Sequence, residues 1–118
     1  MNLNRDRLYN FNVNSVGHPF YIKTSTGTGT GNQYNDGVTN NGTASGTITF
    51  LVPNDAPDTL YYQCSIHSSM NGTINITDIP ATSPPASNTP TPTNTPTPSI
   101  TPSATTGDKT IYVYYPNI

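Results

Sequence analysis

A chain of 118 residues, 31% hydrophobic and 8% charged, has material for one small domain. Its formal charge of −2 and four basic residues leave little to neutralise a phosphate backbone, which argues against a nucleic-acid partner. No apolar run approaches the roughly 20 residues of a spanning helix, so no membrane span is expected. Twelve prolines, nine glycines and eight tyrosines favour strands and turns.

The opening "MNLNRDRLYNFNVNSV" has a basic start but no continuous apolar stretch after it. No secretory signal is expected, and residues 1–7 read as an N-terminal arm. Alternation then begins: Tyr9, Phe11 and Val13 share one face of a strand, with Asn10, Asn12 and Asn14 on the other. "PFYIKT" (19–24) is a second strand. Residues 24–46, dense in Gly, Asn and Thr, read as a long loop with one short strand. "TITFLV" (47–52) points Ile48, Phe50 and Val52 inward and stops at Pro53. "TLYYQC" (59–64) places Leu60, Tyr62 and Cys64 on one face, and "GTINIT" (72–77) sets Ile74 beside Ile76. No segment carries a 3.6-residue period, so the expected fold class is all-β, a small sandwich over residues 8–78.

Composition changes near residue 79. In 79–108 repeated Thr-Pro ("TPTPTNTPTP") fixes φ and removes backbone donors, giving an extended linker of up to roughly 3.1 Å per residue. "KTIYVYYPNI" (109–118) follows as a C-terminal strand, with Ile111, Val113 and Tyr115 on one side and Tyr112 and Tyr114 on the other. A strand at the end of a stiff spacer must pair with its own domain, a neighbouring copy or another protein, by adding to a sheet edge.

The stretch "CSIHSSM" (64–70) concentrates the chemistry. A single cysteine cannot form an internal disulfide, so Cys64 is free, buried, bridged to another chain or bound to metal. Copper of the blue type takes one thiolate, two imidazoles and a weak thioether. Cys64, His67 and Met70 offer three of these from one loop, and the other histidine of the chain is His18. The six aspartates form no close pair with a candidate base, and no serine has an activating context, so no enzymatic activity is expected.

The segment "DTLYYQCSIHSSMNGTINI" (58–76) resembles the C-terminal copper loop of the cupredoxins. Its Cys-x-x-His-x-x-Met spacing is similar to the short-loop form of amicyanin and shares the Cys-x-x-His start of plastocyanin. The resemblance covers roughly residues 8–78 and implies a Greek-key sandwich. It also implies a copper site with His18, Cys64 and His67 as equatorial ligands and Met70 as the axial one. Only 17 residues precede His18, fewer than the family uses. One sandwich edge is therefore expected to be filled by "KTIYVYY" of the same chain or a neighbour.

Segments such as "HPFYIKT", "TITF" and "TLYYQCSIH" also resemble modules of phage structural proteins, often set beside Thr-Pro-rich repeats. This implies a non-catalytic surface module, a decoration, fibre or adhesion element of a virion or similar extracellular assembly. Its expected partners are other protein subunits, in a homo-oligomer or larger assembly, held through the C-terminal strand and the Pro/Thr-rich tail. As an anchor, residues 109–118 would be removable with the sandwich still folded. The alternative expectation is a blue-copper electron-transfer protein.

Overall fold

The computed structural model describes residues 1–80 and 109–113. Nearly all of the expected 79–108 linker, and Tyr114 and Tyr115 of the expected 109–118 strand, lie outside the described residues. The described chain is all-β. Its strands are β1 (Asn2–Asn4), β2 (Leu8–Asn14), β3 (Phe20–Lys23), β4 (Val38–Thr39), β5 (Ser45–Leu51), β6 (Thr59–Cys64), β7 (Asn71–Thr77) and β8 (Lys109–Val113). They form two four-stranded sheets, in the orders β1-β7-β6-β3 and β4-β5-β2-β8. Among the described residues no helix is long and apolar enough to cross a membrane.

Alternation decides which side chains lie between the sheets. Tyr9, Phe11 and Val13 of β2, Ile48 and Phe50 of β5, Leu60 and Cys64 of β6, and Ile74 and Ile76 of β7 are all buried in one cluster. Phe11 of one sheet meets Phe20 of the other at a ring-centroid distance of 5.7 Å. Each fully buried aliphatic or aromatic side chain of this kind contributes about 1.5–3 kcal/mol.

Two parallel pairings close the sandwich. Residues 1–7, expected as an arm, contain β1, which pairs with β7 and buries Leu3. Arg5 then crosses to Ala56 O, Asp58 and Asp78, and these hydrogen bonds, that of Asp58 foremost, hold its pKa above the ordinary guanidinium value. At the other end of the chain, β8 pairs with β2 of its own molecule in the register Tyr9↔Lys109 to Val13↔Val113.

Val113 of β8 is buried, Ile111 packs on the core, and Tyr112 faces outward. The strand is thus a wall of the core as well as an edge. Removal of residues 109–118 would take from β2 one of its two neighbours.

β3 is the edge of its sheet, and the 24–44 loop covers it. The Asn41 carboxamide imitates a strand: Oδ1 accepts from Ile22 N at 2.8 Å and Nδ2 donates to Ile22 O at 3.1 Å. Gly42 N donates to Phe20 O, and Phe20 N donates to Thr43 O. These bonds satisfy backbone groups that an open edge would leave unpaired.

Candidate metal centre

Three of the four candidate ligands, His18, Cys64 and His67, meet at one end of the sandwich. Cys64 closes β6 and is buried, so its side chain points inward beneath the loop that leads to β7. That loop is closed by Cys64 N donating to Met70 O at 2.8 Å and Met70 N donating to His67 O at 3.1 Å. His67 sits at its exposed crest.

His18 arrives from the β2–β3 turn. His18 N donates to Ser15 O at 2.7 Å, with Gly17 at φ 86° in the third position. A turn with that sign of φ favours glycine there. The Ser15 hydroxyl donates to His18 O at 3.0 Å, and Ser65 N donates to Pro19 O at 3.2 Å. The histidine strand and the cysteine loop are therefore joined through backbone beside the site.

Three donor atoms converge. Cys64 Sγ lies 3.7 Å from His67 Nδ1 and 4.0 Å from His18 Nδ1, and the two Nδ1 atoms are 3.2 Å apart. With bond lengths of ~2.3 Å to thiolate and ~2.0 Å to imidazole, three donors in a plane around one ion stand about 3.7 Å (sulfur to nitrogen) and about 3.5 Å (nitrogen to nitrogen) apart. The observed triangle agrees to within a few tenths of an ångström. His18, Cys64 and His67 form a group that could hold a metal ion.

The Cys64 sulfur also accepts a hydrogen bond from Ile66 N at 3.4 Å. Such a contact lowers the electron density that a thiolate gives to a metal. Met70 occupies the same loop and is only 5% exposed, its side chain belonging to the core cluster.

Two residues that the sequence reading did not single out support the site. Gln63, fully buried, donates from Nε2 to Cys64 O at 2.9 Å, His67 O at 2.9 Å and Met70 O at 3.4 Å. Lys23, 1% exposed, donates from Nζ to Gly27 O at 2.6 Å and Gly29 O at 2.9 Å. Nothing in the sequence marks Gln63, since a polar residue beside an inward Cys64 reads as the outward position of a strand.

Comparison with protein-family models, curated proteins and solved structures gave no match to this chain.

Proposed function

We propose that the chain is a non-catalytic structural surface module, a decoration, fibre or adhesion element of a virion or similar extracellular assembly. In this reading the sandwich is cupredoxin-like and carries a type 1 copper site. The observation that supports the assembly role is β8, a strand that follows the Thr-Pro-rich stretch and supplies Ile111 and Val113 to the core. Among the described residues β8 has a neighbouring strand on one side only, which leaves an edge for another subunit.

His18, Cys64 and His67 would hold the copper, with Met70 of the same loop as a fourth, weaker ligand. Bound copper supplies reversible one-electron chemistry. Cys64 keeps the sulfur inside the sandwich, His67 reaches the surface, and the closed 64–70 loop fixes the spacing between them. An ion bound only by the folded state also stabilises it, by about 4.1 kcal/mol at a thousand times Kd.

Sedimentation of the full chain over a wide concentration range tests the assembly role. Defined oligomers or filaments, weakened by Tyr112→Lys on the outer face of β8, are the expected result. A monomer throughout would overturn it.

A second reading, a soluble electron carrier, is favoured by the surroundings of His67. Val16 and Ile66 are exposed hydrophobic residues in the segments that carry the two histidines. A monomer with a reversible voltammetric wave would select this reading.

A further inference from the structure

We infer that Gln63 and Lys23 form a buried clamp that holds the 64–70 loop in its metal-ready shape before any ion arrives. The positioning role toward metal rests on the copper site proposed above. The clamp itself is a property of the chain alone.

One carboxamide nitrogen serves three carbonyls, those of Cys64, His67 and Met70. These are three of the four proposed ligand residues. Turning any one of them away would weaken a hydrogen bond from a side chain that is itself fully buried. The loop therefore has one well-satisfied shape.

The carboxamide is oriented from its other end. Gln63 Oε1 accepts from Gly27 N at 3.0 Å, which assigns nitrogen and oxygen of the amide without ambiguity. Gly27 is fixed in turn, because its carbonyl and that of Gly29 accept from the Lys23 ammonium. Gly29 N then donates to Ser65 O at 2.7 Å, returning to the metal loop one residue after Cys64.

Lys23, the 27–29 segment, Gln63 and the 64–70 loop thus form a closed circuit of hydrogen bonds. A buried ammonium is expensive unless its protons are taken up, and here the carbonyls of Gly27 and Gly29 accept from it. The Gly-rich segment has a use in this arrangement. Gly27 and Gly29 have φ of 127° and 83°, so the backbone can turn both carbonyls to one point.

Supporting groups of this kind typically change metal affinity by roughly 10–100-fold. The test uses the full chain with Gln63→Met, which preserves volume, Gln63→Glu, which preserves shape but removes the donor, and Lys23→Met. Amide hydrogen exchange is measured without metal, and Cu(II) affinity and the copper electron paramagnetic resonance spectrum are measured with it.

The expected result is exchange at Cys64, Ser65 and Met70 at least about tenfold faster, with β2 and β5 amides unchanged. Copper affinity should fall by about 10–100-fold with an altered hyperfine splitting. Lys23→Met should give the same pattern more weakly, and it decides the matter if neither Gln63 variant folds. Unchanged exchange in the loop, or equal acceleration in every strand, would overturn the clamp. If the wild type binds no copper, the metal reading fails, and the exchange measurement alone decides the clamp.

Discussion

The Nδ1 atoms of His18 and His67 lie 3.2 Å apart across 49 positions of sequence, and both face the sulfur of Cys64. Two imidazole nitrogens this close to one thiol sulfur make a donor set that could hold a metal ion. Titration of the purified chain with Cu(II) should therefore give the intense visible band of a thiolate bound to copper. Cys64→Ser should abolish it, and His18→Ala or His67→Ala should weaken binding by roughly a hundredfold or more. Met70→Leu should keep the band and raise the reduction potential, since it removes a weak donor to the oxidised ion. A colourless wild type would exclude the copper site.

The core role of β8 predicts an asymmetry between neighbouring positions. Val113→Ala should cost about 1–3 kcal/mol, because it leaves a gap between β2 and the opposing sheet. Tyr112→Ser, at a site 63% exposed, should stay within about 0.5 kcal/mol. Urea unfolding of both variants measures the difference. Equal, small effects would mean that β8 is dispensable to the fold.

Tyr62 lies across Gly72 on the neighbouring strand, its ring occupying the space that a Cβ there would need. The same ring stacks on Phe20 with centroids 5.4 Å apart, so it cannot withdraw without losing that contact. Gly72→Ala should destabilise by about 1–3 kcal/mol. Gly31→Ala, where a Cβ meets nothing within 4 Å, should be neutral or slightly stabilising. Thermal melts of the two variants side by side would check this, and similar melting points would contradict the packing argument.

Tyr34 ties part of the chain's stability to alkaline pH. Its phenol, set edge-on to Phe50, is pushed above the usual tyrosine pKa by burial first, then by Asp36 and Asp55. The folded state holds this proton more tightly than the unfolded state. Its contribution is therefore complete below about pH 10 and is lost as pH rises through the folded value. Stability of the wild type should fall relative to Tyr34→Phe above that point, as read by denaturant unfolding at several pH values. Parallel curves would count against it.

The strands that alternate cleanly were legible because one face of each is apolar throughout. Tyr9, Phe11 and Val13 set β2, and Ile48 and Phe50 set β5. β1 was not legible, since Asn2 and Asn4 flank a single Leu3 and only the edge of β7 makes a strand of them. The three donors of the candidate site were legible as residue types, but their meeting depends on the turn at Ser15–His18 and on the closed loop after Cys64. The burial of Lys23 and Gln63 was hidden. It arises when the 24–44 loop folds over them, and their own strands carry no pattern that announces a cover.

The pairing of β2 with β8 also sets a clock. Lys109 is a hundred residues beyond its register partner Tyr9. At a synthesis rate of about 5–20 residues per second, β2 waits roughly 5–20 s on the ribosome for its parallel neighbour. During that interval β2 is paired on one side only, and the groove that β8 will fill stands open. On a message read by several ribosomes, the first matching strand to reach that groove need not be its own.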